Sequence, residues 1–89
     1  MSRYEVTLAP PAHRALERDL PEKIAAAVVE FIFGALAENP HRVGKALRAP
    51  LDGMWSARRG EYRVIYTVDD HRITIHVLSI RHRRDAYRT

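Results

Sequence analysis

The stretch Trp55-Ser-Ala-Arg-Arg-Gly-Glu-Tyr-Arg-Val-Ile-Tyr66 constrains the fold more than any other part of the chain. It reads as a β-hairpin. Trp55 and Ala57 alternate with Ser56 and Arg58 on the incoming strand. Arg59-Gly60 supplies the turn, because glycine tolerates the positive φ that tight hairpin turns require. On the outgoing strand Tyr62, Val64, Tyr66 and Val68 fall on one face, and Arg63, Ile65 and Thr67 on the other. Arg63 is the odd residue of the set: a charge in mid-strand must find either water or an anionic partner.

The remaining elements follow from periodicity and breakers. Arg3 to Leu8 alternates and predicts a first strand with Tyr4, Val6 and Leu8 inward. Pro10-Pro11 ends it, and a short helix over roughly Ala12–Arg18 carries Ala12, Ala15 and Leu16 on its inner stripe. A second helix starts at Leu20-Pro21, with Asp19 as a candidate cap. Its Ile24, Ala27, Val28, Phe31, Ile32 and Ala35 recur at i, i+3, i+4, i+7, i+8 and i+11, the strongest periodic signal in the chain. Val29, Phe33 and Leu36 widen that stripe beyond what one neighbour covers, and Asn39-Pro40 closes the helix. His41 to Asp52 reads as a connector. After the hairpin, Asp69-Asp70-His71 turns the chain into a strand over Arg72–Ile80. There Ile73, Ile75 and Val77 alternate with Thr74, His76 and Leu78, and apolar residues on both faces mark a central strand. The expected fold is α+β in the order βααβββ. Two N-terminal helices pack on one face of an antiparallel sheet, the first strand returns to an edge, and the opposite face stays open.

All 89 residues read as a single domain with one core. The chain holds no run of about 18 apolar residues, so no membrane span is expected. Its start lacks the apolar centre of a signal peptide, and the expected location is cytoplasmic. Without cysteine there are no disulfides, no Cys-ligated zinc and no thiol catalysis. Charge is uneven. Residues 1–40 carry four Lys/Arg against six Asp/Glu, and residues 41–89 carry eleven against five. A basic half fits a polyanionic partner, either nucleic acid or an acidic protein segment, and equally a solubilising surface.

Recognised catalytic spacings are missing. The five histidines make no HxxxH or HExxH pattern, no glycine-rich phosphate loop occurs, and neither Ser56 nor Ser79 sits in a nucleophile-elbow context. Neither a metal nor another cofactor is expected. What remains is cationic: Arg42, Lys45 and Arg48 on the connector, Arg58 and Arg59 at the hairpin turn, Arg63 in mid-strand, and Arg81, Arg83 and Arg84 with Tyr87 in the tail. Arginine forks bind phosphates bidentately, and a tyrosine stacks on a base. Such a set can support RNA cleavage without a metal, because the neighbouring 2′-hydroxyl is itself the nucleophile. The protein then aligns the attack, stabilises the charge that builds on phosphorus and helps the 5′-oxygen leave. A lysine crowded by arginines is disfavoured as the ammonium, which makes Lys45 a candidate base. The plainer alternatives stay open. Arg63 can pair with a carboxylate across the sheet, Arg58 and Arg59 can be solvated turn charges, and Trp55 can be a core anchor.

The segment Leu51-x-Gly53-x-Trp55-Ser-x-Arg58-x-Gly60-x-Tyr62-Arg63-Val-Ile-Tyr66, then a hydrophobic strand and His82-Arg83-Arg84-Asp85-x-Tyr87, resembles the RelE/ParE superfamily of toxins from bacterial toxin–antitoxin pairs. Asn39-Pro40-His-Arg-x-Gly44-Lys45-x-Leu47 is similar to that family's connector. The resemblance runs from Tyr4 to Tyr87 and lies in the order and spacing of the motifs. It implies the same βααβββ layout. Resemblance to the RelE branch implies a ribosome-dependent endoribonuclease that cuts mRNA in the ribosomal A site, against rRNA. Arg63 matches the strand arginine that holds the scissile phosphate, Arg83 (with Arg81 and Arg84 as the alternatives) the tail arginine that neutralises charge, Tyr87 the tyrosine that stacks on the substrate base, and Lys45 a lysine near the site. Arg42, Arg48, Arg58, Arg59, Arg81 and Arg84 would bind RNA around them. The family also implies a cognate antitoxin with an acidic wrapping segment. The alternative is the ParE branch, whose members poison DNA gyrase without nuclease activity.

Overall fold

The computed structural model describes residues 3–84. Strand β1 (Glu5–Leu8) leads into helix α1 (Pro10–Arg14), which continues as a π-helical turn over Ala15–Asp19. Helix α2 (Glu22–Phe31) likewise runs into a π-helical turn over Ile32–Leu36. A one-turn helix α3 (Pro40–Val43) precedes β2 (Gly44–Ala46), β3 (Trp55–Arg59), β4 (Tyr62–Asp69) and β5 (Thr74–His82). The sheet order is β1-β5-β4-β3-β2. The α+β arrangement with two N-terminal helices on one sheet face is as expected, and the hairpin is β3–β4.

The differences are instructive. The connector is not irregular: its middle forms α3 and a fifth strand, β2, paired antiparallel to β3. The first strand does return to an edge, but it runs parallel to β5, so the sheet is mixed. An alternating four-residue strand carries no signal for direction. Pro21, and not Asp19, is the residue before the first turn of α2, and no side chain caps that helix. Arg59 pairs with Tyr62, so the hairpin loop is Gly60-Glu61, with Gly60 at φ 61°. Ile73 does not face inward in β5. It sits in the preceding turn at φ 53°, exposed, where the Asp69 carboxylate accepts the backbone N–H groups of His71 and Arg72.

The core sits between the helices and the inner sheet face. Val28, Ile32 and Leu36 of the second helix and its π turn meet Val64, Tyr66, Ile75, Val77 and Ile80 of the sheet, with Ala12 and Ala15 beneath. Burying a side chain of Ile, Leu or Val size stabilises by about 1.5–3 kcal/mol. The π turn shifts the helical phase by roughly one residue, so Leu36 is buried where simple periodicity points to Ala35, which is exposed. Val29 and Phe33 stay on the outer side at 38% and 43% exposure. Among the described residues no helix is long and apolar enough to cross a membrane.

Tyr66 ties the sheet to the connector. Its ring stacks near that of Trp55, with centroids 6.4 Å apart, and its hydroxyl donates to the Pro40 carbonyl at 2.7 Å. A Cβ at Gly44 would overlap that hydroxyl. Glycine at this position therefore lets β2 pass over Tyr66, and it fixes where Lys45 emerges.

Candidate functional site

Strand registers place the cations. Arg58 of β3 lies directly opposite Arg63 of β4, and Arg63 lies directly opposite Arg81 of β5. Directly paired residues project to the same side, so the three arginines form one row on the sheet face away from the helices. In the adjacent row Lys45 pairs with Ser56, and Ser56 with Ile65. Lys45, Ser56, Arg58, Arg63 and Val43 line a cleft of about 350 Å³. Arg63 is half-buried, while Lys45, Arg58 and Arg81 are exposed. Among the described residues none of Lys45, Arg58 and Arg81 makes an ion pair.

A break in register builds this row. Ile65 pairs with Ser79, yet the next residue, Tyr66, pairs with Val77, so Leu78 is an extra residue in β5. The bulge lets Ile75, Val77 and Ile80 all face the core, although Ile80 is out of step with the other two. It also turns Arg81 outward beside Arg63. Strict alternation from Ile75 would aim Arg81 at the helices. Apolar residues at both parities of Ile75–Ile80 are the only sequence trace of this bulge.

The other sequence-derived cations are arranged differently. Arg83 lies past the end of β5. Its Nε pairs with the Glu61 carboxylate at 3.1 Å, and its backbone N–H donates to the Glu61 carbonyl at 2.7 Å, so it clamps the hairpin loop. Arg59 lies on the helix side, where it borders a groove with Lys23, Ala27 and Tyr62. Arg42 on α3 and Arg48 in the turn before β3 are exposed and do not line the cleft. Arg84 is exposed, and its N–H donates to His82 Nδ1 at 3.2 Å. Tyr87 lies outside the described residues.

A second polar cluster closes the far end of the sheet. Tyr4 donates to Asp70 at 2.6 Å, and His41 Nε2 lies 2.9 Å from the same carboxylate oxygen. Hydrogen bonds from His41 and then from Tyr4 hold the Asp70 carboxyl below its usual range, and the Asp70 contact raises that of the Tyr4 hydroxyl. Trp55 packs edge-on to His41 at 5.0 Å, so this cluster braces the N-terminus, α3 and the β4–β5 turn.

Three directly opposed arginines are a liability in a sheet, since like charges across strands are destabilising. An anion laid across the row removes that cost. Forks that meet it from neighbouring strands suit a tetrahedral oxyanion, whose charge is spread over several oxygens.

Comparisons with known proteins place the chain in a family. Residues 6–87 match the family described as "ParE toxin of type II toxin-antitoxin system, parDE". Toxin RelE of Mycobacterium tuberculosis is 53% identical over 85 residues, covering 96% of this chain and 87% of that protein. Toxin RelG of the same organism is 51% identical over 85 residues, covering 96% of this chain and 97% of that protein. Among solved structures, the toxin–antitoxin complex RelBE2 from M. tuberculosis contains a chain that superposes with a TM-score of 0.88 at 49% identity, covering 96% and 97% of the two chains. In the archaeal RelE–RelB complex from Pyrococcus horikoshii the corresponding TM-score is 0.71 at 27% identity, covering 92% of this chain and 97% of that one. With half its residues shared over nearly its whole length, and the same sheet beneath them, the chain belongs to the RelE branch of the RelE/ParE superfamily of toxins from type II toxin–antitoxin systems.

Proposed function

We propose that this chain is a ribosome-dependent mRNA endoribonuclease that cuts in the ribosomal A site by a metal-independent route and so arrests translation in the cytoplasm. The observation that carries the reading is the row Arg58–Arg63–Arg81 with Lys45 one rung away. The scissile phosphate lies across Arg63 and Arg81. Lys45 accepts the proton of the 2′-hydroxyl, and the 2′-oxygen bonds to phosphorus. The arginines hold the charge of the resulting phosphorane. The bond to the 5′-oxygen then breaks, and that oxygen takes up a proton from the lysine ammonium or from solvent. The products are a 2′,3′-cyclic phosphate and a 5′-hydroxyl. Arg42, Arg48 and Arg84 contact mRNA or rRNA phosphates around the cleft, and Tyr87 stacks on the substrate base.

The partner that silences it is a cognate antitoxin with an acidic segment. The basic half of the chain and the apolar groove along α2 beside Arg59 support that partner. Two of the solved relatives are toxin–antitoxin complexes.

Primer extension on a translated message tests the reading. Wild-type protein is expected to leave discrete stops, and Arg63→Ala to lower their formation by about 10²-fold or more. Intact message under translation, or undiminished cutting by Arg63→Ala, refutes it. The family description also names ParE, so DNA gyrase is assayed in parallel. Gyrase inhibition with intact mRNA moves the assignment to the gyrase-poisoning branch.

A further inference from the structure

The open sheet face continues past the cationic row. On β4 the residues that follow Arg63 on this face are Ile65 and Thr67. Thr67 is directly opposite His76 of β5, and His76 is directly opposite Thr7 of β1. Thr7 Oγ1 lies 2.7 Å from His76 Nδ1, which fixes the imidazole on the surface. Nε2 of that ring has no partner among the described residues. Between this rung and the arginines lie Ile65 and the bulge residue Leu78, both half-buried.

We infer that the Thr7–His76–Thr67 rung, with the Ile65–Leu78 floor beside it, is a base-reading subsite for a nucleotide flanking the one that is cut. This rests on the endoribonuclease reading above. Four residues along β4 separate Thr67 from Arg63, a distance of about 13 Å and well beyond the ~3.4 Å rise between stacked bases. The rung therefore meets a different nucleotide from the one whose phosphate lies on the arginines. Its groups are two hydroxyls and one imidazole nitrogen, which can donate and accept but need carry no charge. Phosphates are drawn to cations, whereas neutral donors and acceptors on a sheet surface suit the edges of an unstacked base. The apolar floor gives that base a flat surface to rest on. The fixed ring makes the readout selective, because an anchored imidazole presents one nitrogen in one direction. The occupant is thus single-stranded RNA continuing from the cleft.

Cleavage-site mapping by primer extension over a long translated message tests this with His76→Ala and the isosteric Thr67→Val. The expected result is continued cutting with a flattened site distribution, in which the ratio of favoured to disfavoured sites at one flanking position falls about tenfold. An unchanged distribution, or a uniform loss at all sites, overturns the subsite. A second measurement is independent of cutting. The His76 imidazole resonances are followed while single-stranded RNA trinucleotides of different sequence are added to the wild-type chain. His71 in the β4–β5 turn serves as the control. Movement of His76 that depends on the base, with His71 still, supports the subsite even if the message is left intact, in which case only the cleavage assignment fails. A His76 signal unmoved by every trinucleotide overturns the subsite even if cleavage is confirmed.

Discussion

Gly44→Ala offers the most stringent test of how the site is held together. The backbone at Gly44 has φ −115° and ψ 178°, which alanine adopts freely, so any cost is steric. The added Cβ overlaps the Tyr66 hydroxyl and lies only 2.9 Å from its Cζ and 3.1 Å from the Ser56 carbonyl oxygen. Either β2 lifts off β3, or Tyr66 swings away and abandons the Pro40 carbonyl. Overpacking costs about 1–3 kcal/mol, and a buried carbonyl left without its donor costs about 1–3 kcal/mol more. The expected destabilisation is therefore about 2–6 kcal/mol, or roughly 8–48 °C in Tm for a domain of this size. Tyr66→Phe alone forfeits the hydrogen bond and costs about 1–3 kcal/mol. The double variant loses that bond only once and relieves part of the clash. It should then be more stable than the sum of the single effects predicts, by about 1–2 kcal/mol. Urea unfolding followed by the fluorescence of Trp55 measures all four proteins. Additive losses, or a neutral Gly44→Ala, would refute the close approach of β2 to Tyr66. Because Lys45 follows Gly44, the same substitution is expected to lower cleavage at a temperature where the protein is still folded.

Further outcomes follow from the same geometry. Burial pushes the Tyr66 hydroxyl from 10.0 up to about 12. Since its value is raised by folding, the contribution is complete below pH 10 and is lost as pH climbs toward 12; about 3 kcal/mol should disappear there, and Tyr66→Phe should flatten that limb of a stability–pH curve. The Asp70 carboxyl is lowered by His41 and Tyr4, so its contribution is present above the ordinary value of 3.8 and is lost as pH falls through the lower folded value. Asp70→Asn should remove that acid-side dependence in thermal melts. Ile73 holds φ 53° while exposed, so Ile73→Asn should raise stability by about 1 kcal/mol in chemical denaturation, and a loss would contradict the strain. Arg81→Ala should reduce message cleavage by about 10²-fold, with Arg81→Lys recovering only part, because a lysine keeps the charge but not the fork.

Much of the framework can be read from short-range pattern. The hairpin at Trp55–Tyr66, the stripe of α2 and the two faces of β4 all follow from periods of 2.0 and 3.6 in neighbouring residues. Arg63 stands out by the same logic, as a charge at a period-2 position of an otherwise apolar and aromatic strand. Lys45 is different. Three residues of β2 are too few to show a period, and its place in the cleft depends on pairing with Ser56 and on the room that Gly44 leaves over Tyr66. Arg83 is the tail arginine that the family resemblance favours, yet it pairs with Glu61 at the hairpin loop, and Arg81 is the residue that lies opposite Arg63.

By itself, then, the sequence determines that this chain makes two helices and a β-hairpin sheet, that one face of β4 is apolar, and that an arginine interrupts the other. Tertiary structure alone decides which cations share that second face. The deciding feature is the extra residue at Leu78, which moves the end of β5 by one position and brings Arg81 to the open side. The physical reason is that side-chain direction in a strand reverses with every residue, so a single bulge reassigns everything beyond it. Register is fixed by contacts between distant strands and by burial of Ile80, and no window of neighbouring residues contains either.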